Sequence, residues 1–220
     1  MLLRLRKGHD VFMTWGLFRQ LGDTEFKNML NLVDTEGSVS SSIFRMSGWE
    51  TEQVKAEREF TFPRIETTTW PYVRDVAVVR GDYDFGVLLN AKYLNASLYV
   101  LNLPENSYDL MRIPAAALNK VRGAFQKELG VELKGPGGVG LYPFGALQFV
   151  LYNMNEEATR VALSFDKAVP SAGWRELVHG ESVGVTEIKP PQESEHHGEF
   201  VRSEVSLMLQ PFEIAVVQAP

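Results

Sequence analysis

The sequence predicts an α+β protein, with a mixed region over about residues 1–140 and a small antiparallel β-sandwich module over about 141–220. Three observations predict it. Valine-rich runs bounded by turn residues fill the middle of the chain. One amphipathic helix follows them between Pro114 and Gly130. Beyond Gly135-Pro136-Gly137-Gly138 every segment reads as strand, most with apolar residues at every second position.

Taken in order, Asp10 to Trp15 reads as a short buried strand ending at Gly16. Asp23 or Thr24 then caps a helix carrying Phe26, Met29, Leu30 and Val33 at helical spacing. Glu36-Gly37 turns the chain into an extended stretch from Ser38 to Met46, and the charged segment Glu50 to Glu59 fits helix or edge strand equally. Arg74 to Arg80 is a strand, Gly81-Asp82 its turn, and Gly86 to Leu89 and Ala96 to Leu103 are two more strands. In the helix, Pro114 suits the first turn and Gly130 the left-handed position past the end. Its apolar stripe is Leu118, Val121, Phe125 and Leu129, which should lie on a sheet, while Lys120, Arg122 and Lys127 face elsewhere.

Beyond it, Leu147, Phe149 and Leu151, a turn over Asn153 to Glu157, and Val161, Leu163 and Phe165 read as a hairpin. Val205, Leu207 and Leu209 keep the period of two, Pro211 interrupts it at an edge position or at a kink where the chain changes direction, and Phe212, Ile214 and Val216 resume it. Ile188 to Gly198 is a long polar loop.

Composition excludes several classes of function. Hydrophobic residues at 45% and charged residues at 23% describe a packed globular chain. A net charge of −6 without a basic stripe excludes a nucleic-acid partner. With no cysteine there are no disulfides, thiolate metal sites or cysteine nucleophiles. No apolar run has the length of a membrane span, so no membrane partner is expected. Met1 to Lys7 has basic residues without an apolar stretch behind them, so the expected location is cytoplasmic. No cofactor is expected.

Four groups of residues carry candidate chemistry. Asp82-Tyr83-Asp84 has the form of a metal-holding acid pair, but acids at the turn between two strands account for it. Gly135 to Gly140 is glycine-rich, yet lacks the lysine and the following helix that a phosphate cradle needs. Glu195, His196 and His197, with Glu193 and Glu199, are the metal-ligating candidates; adjacent histidines in an extended loop point apart, and a solvated loop is the competing reading. Trp49, Trp70 and Tyr83 are the candidate carbohydrate-stacking residues, whereas Trp15 and Trp174 are assigned to the core. No catalytic residue is assigned.

Several stretches taken together resemble a known family. Lys7 to Leu17, then Tyr99 to Asn106 with Asp109-Leu110 and Ile113-Pro114, resemble the amidotransferase-like α/β domain behind the catalytic barrel of some bacterial glycoside hydrolases, the trimerising β-galactosidases included. Leu151-Tyr152-Asn153, Glu156, Val161, Trp174 to Leu177, Gly180-Glu181 and Leu209 to Glu213 resemble the β-domain that closes those enzymes. The resemblance implies a partial flavodoxin- or amidotransferase-like α/β region without its leading strands. It also implies a non-catalytic accessory or assembly role, since the barrel carrying the two catalytic carboxylates has no counterpart here. The partners it implies are a second copy of the chain, a glycoside hydrolase catalytic domain, or a carbohydrate. The rivals are a free-standing carbohydrate-binding module and a small hydrolase using Asp82, Asp84 or the Glu193–Glu199 cluster.

Overall fold

The computed structural model describes residues 2–21, 32–47, 52–67, 72–145, 147–188 and 202–220. Contacts divide the chain into two compact units, Met1–Ala124 and Phe125–Pro220. The fold is α+β and strand-rich, with sheets that are antiparallel but for one pair of strands.

The first unit is built on one six-stranded sheet. Its strands are β1 (Val11–Thr14), β2 (Leu32–Met46), β3 (Glu52–Thr67), β4 (Tyr72–Arg80), β5 (Tyr83–Tyr93) and β6 (Ala96–Leu101), in spatial order β1-β6-β5-β4-β2-β3. Only β1 and β6 run parallel, joined in register from Val11 opposite Leu98 to Thr14 opposite Leu101. β6 is buried at all six positions, as a strand covered on both faces must be. On one face α3 (Ala115–Gln126) lays Ala117, Leu118 and Val121 on Phe44, Phe60, Leu88 and Tyr99. On the other, α1 (Leu2–Arg6) and α2 (Trp15–Gln20) cover Val11, Met13, Leu98 and Val100 with Leu5, Trp15 and Phe18.

Several expectations change here for physical reasons. The first strand ends at Thr14 rather than Gly16, because the Thr14 hydroxyl accepts from the Leu17 N–H at 3.3 Å and caps α2. Of the helix expected after Asp23, Phe26, Met29 and Leu30 lie outside the described residues, while Val33 lies in β2. Glu36-Gly37 is no turn between elements: Gly37, at φ 107°, sits where the β2–β3 register shifts, as a bulge inside one long strand. From Glu52 onward the charged segment is strand β3. The stripe of α3 is shorter than expected. Packing stops at Ala124, and Phe125 and Leu129 are both more than half exposed. Gly130 does take the left-handed position, at φ 66°.

The second unit is a sandwich of two four-stranded sheets. One has the order β12-β13-β10-β7, the other β11-β14-β9-β8. The strands are β7 (Val131–Lys134), β8 (Val139–Pro143), β9 (Gln148–Asn153), β10 (Thr159–Phe165), β11 (Arg175–Glu176), β12 (Val185–Ile188), β13 (Arg202–Leu209) and β14 (Ile214–Gln218). Val131–Lys134, which the sequence reading left in the first region without assigning it a strand, forms β7 and pairs with β10 in this unit. Phe149, Phe165 and Trp174 form its centre, with ring centroids 5.7 and 5.6 Å apart in succession. Trp174 is 1% exposed, and its indole N–H donates to the Pro170 carbonyl at 2.8 Å. Trp15 is buried in the first unit, so both tryptophans assigned to cores lie in cores.

β9 and β10 do not form the expected hairpin, because they belong to opposite sheets. The reason is Asn153. It is fully buried, and its amide donates to the carbonyls of Glu157, Leu209 and Gln210, while its own Oδ1 accepts from the Asn155 N–H. That side chain satisfies the backbone where the chain leaves one sheet for the other. The last crossing between the sheets, from β13 to β14, falls at Pro211, with Phe212 at φ 57°. It also shifts the phase of β14: Ala215 and Val217 point inward, and Ile214 is exposed. The loop expected from Ile188 lies, beyond that residue, outside the described residues.

Candidate functional site

Of the residues singled out in the sequence, Trp49, Trp70, Glu195, His196 and His197 lie outside the described residues. Tyr83 opens β5 just past the Gly81-Asp82 turn and is 73% exposed. Beside it Asp84 is held by Arg45, whose guanidinium reaches both carboxylate oxygens at 2.8 and 2.7 Å. Asp84 therefore serves a cross-strand ion pair. Among the described residues no group of three or more histidine or acid side chains is placed to hold a metal.

Two acids have strongly shaped surroundings. Asp75 stands at a β4–β5 register shift; burial lifts its carboxyl above the ordinary value, against hydrogen bonds from Asn90 and Ser47 and the charges of Lys120 and Lys92. Glu176 on β11 is 5% exposed. Its Oε1 accepts from the Val178 and Val216 N–H groups at 2.9 and 3.0 Å, and its Oε2 from the His179 N–H at 2.6 Å. Nδ1 of His179 lies 3.1 Å from the same oxygen and 3.5 Å from Glu213. Burial alone would raise this carboxyl, but the backbone and histidine hydrogen bonds outweigh it and hold it below its ordinary value. With both oxygens occupied, Glu176 clasps the Leu177–His179 loop to β14. The arrangement is structural.

Two hollows are lined by charge. An open groove of about 680 Å³ runs along β3 beside Lys55, Glu57, Arg58, Phe60 and Arg112. There Arg58 pairs with Asp109 at 2.6 Å and stacks over Phe60. A smaller pocket of about 190 Å³ lies among Lys127, Glu132, Asp166 and Arg202. Cations and anions are mixed in both.

The outer faces of the sandwich differ from each other. On the β12-β13-β10-β7 sheet, the outward positions include Glu132, Lys134, Arg160, Arg202 and Glu204, and Lys134 pairs with Glu204 at 2.6 Å. On the other sheet, strand registers place Gly140, Tyr152 and Ile214 in one outward row and Tyr142, Val150 and Val216 in the next. Gln148 and Gln218 form a third row. None of these eight residues is an acid or a base, but on the fourth strand of this sheet Arg175 of β11 lies opposite Gln218 and adds one exposed base at the end of the third row. Tyr142 is 57% exposed, and Phe144, just beyond β8, is also exposed. The Tyr142 ring leans back over Gly140: a Cβ there would lie 3.0 Å from Cε2 and 3.2 Å from the hydroxyl. The glycine makes room for an aromatic laid against the sheet.

Sequence reasoning missed this face, though a signal exists. Phe149-Val150-Leu151-Tyr152 and Ile214-Ala215-Val216-Val217 are unbroken apolar runs, and such a strand has two apolar faces. Compared with known proteins, the chain matches no family model, no curated protein and no solved structure.

Proposed function

We propose that this chain is an accessory region of the kind that accompanies bacterial glycoside hydrolases, acting by contact rather than by bond cleavage. The observation that carries the reading is the uncharged outer face of β8, β9 and β14, set against a charged face on the opposite sheet. A half-solvated antiparallel sheet ordinarily alternates apolar inward with polar outward residues, so three adjacent strands without an outward charge depart from what solvation alone requires. The best-organised acid, Glu176, has both oxygens engaged by its own loop and strand, which fits a structural role.

The finer part of the reading, an amidotransferase-like origin for the first unit, is supported by the parallel β1–β6 pair and by helices on both faces of its sheet. The antiparallel remainder of that sheet gives it no support. Association through a sheet edge, one route to the expected homo-oligomer, is disfavoured. The edge strand β3 carries Lys55, Glu57, Arg58, Glu59 and Pro63, and the opposite edge, β1, has four residues.

The purified chain should turn over no aryl glycoside across pH 4 to 8. Release of the aryl group at a rate abolished by Asp84→Asn or Glu176→Gln would overturn the accessory reading.

A further inference from the structure

We infer that the outer face of β8, β9 and β14 binds a neutral oligosaccharide chain, with Tyr142 as the stacking platform; this rests on the accessory reading given above. Three features select that occupant. The eight outward positions of β8, β9 and β14 carry no formal charge, and the one base beside them, Arg175 on β11, stands past Gln218 at the rim, so a cationic segment finds no counter-charge and a polyanion finds a single one at the edge. The polar groups that are present, the Gln148 and Gln218 amides and the hydroxyls of Tyr142 and Tyr152, are neutral and both donate and accept hydrogen bonds. A sugar ring presents the complementary chemistry: an apolar C–H face for the aromatic ring and hydroxyls for the amides.

Size points the same way. Three strands about 4.8 Å apart, each contributing roughly 17 Å of length, give a face of about 250 Å². A stable dimer buries roughly 800 Å² of accessible surface on each partner, more than this outline offers even with the relief of its side chains. The face is therefore small for a second copy of the chain and suited to a short stretch of a sugar chain. Tyr142 is also pre-oriented: it rests over Gly140, where a side chain would displace it, and pairs across the sheet with Val150. A ring held in place loses little freedom on binding.

The test is native affinity electrophoresis of the full chain through gels containing soluble neutral polysaccharides: a β-glucan, a galactan, a xylan and a mannan. Wild type should be retarded by at least one of them, and Tyr142→Ala should weaken that retardation about tenfold or more. Tyr142 is more than half exposed, so the substitution should leave the melting temperature nearly unchanged. Gly140→Val keeps the ring but pushes it off its seat, and should weaken binding to an intermediate degree. Retardation of wild type by none of the four, or equal retardation of wild type and Tyr142→Ala, overturns the sugar assignment. Sedimentation of wild type and Val150→Glu then separates the two levels. Self-association lost in Val150→Glu would mean that the face serves protein contact, leaving the accessory reading in place. No change in either assay would remove the face from both proposals.

Discussion

The two sheets of the sandwich share one core and differ on their outsides. Both bury Val, Leu and Phe at alternate positions against Trp174, yet one sheet meets solvent with an ion pair and several further charges, and the other with tyrosine, valine and isoleucine on three strands and a single base, Arg175, on its edge strand β11. The core needs only that the inward residues be apolar, so the outward residues are free to record what each face does. A charged outer face is the ordinary outcome for a sheet in water. The uncharged one departs from it, and the departure holds across three strands and both of its central rows.

The largest expected effect tests the part the sheets have in common. Trp174→Ala should destabilise the second unit by about 3–5 kcal/mol, the usual range for removing a buried aromatic. Urea unfolding followed by far-UV circular dichroism would measure it. A loss below about 1 kcal/mol would mean that the sheets do not depend on this ring.

A medium effect concerns the clasp that ties a loop to the uncharged sheet. Glu176→Gln keeps the shape but replaces one acceptor oxygen with a donor facing backbone N–H groups, at a cost of about 1–3 kcal/mol at pH 7. The sign of its pH dependence is fixed. The folded-state pKa of Glu176 lies below its ordinary value of 4.5, so its contribution is complete above that value and fades as pH falls through the lower, folded one. The gap between wild type and variant should therefore close in acid, as read by melting temperature between pH 3 and pH 7. A gap that widens in acid would contradict the clasp.

The smallest effect belongs to the charged face. Lys134→Met breaks the pair with Glu204, in which both side chains are partly exposed, and should change stability by no more than about 1 kcal/mol. Added salt should shrink even that difference. A large, salt-insensitive loss would make the charged face as specialised as the uncharged one.

Much of this architecture was legible. The Pro114 and Gly130 signals frame the helical segment that contains α3, the alternation in β10 and β13 marks inward residues, and both core tryptophans follow from their apolar surroundings. What was hidden depends on pairings remote in sequence. A turn-rich stretch such as Asn153 to Glu157 looks the same whether the next strand returns beside the last or crosses to the other sheet. The two distant carbonyls that Asn153 reaches, those of Leu209 and Gln210, mark the crossing. The candidate site was hidden for a related reason. Val216 is far along the chain from Tyr142 and Val150, which face each other across the β8–β9 hairpin, and the three become one surface only when β14 joins in register.

The crossings at Asn153 and Pro211 also govern how the second unit comes together. Each sheet draws strands from the beginning and from the end of the unit: β7 and β13 lie in one, β8 and β14 in the other. Neither sheet can be completed while the last strands are still being synthesised, and the one local pairing available early to the second sheet, the β8–β9 hairpin, leaves the other edge of β9 open until β14 arrives. Such non-local pairing closes large loops before any contact stabilises them, which makes folding slow and nearly all-or-none. The uncharged strands β8 and β9 must wait for β14, so an aggregation-prone surface stands open during the search. For this unit, the hazard of keeping a face free of charge falls on the newborn chain more than on the finished fold.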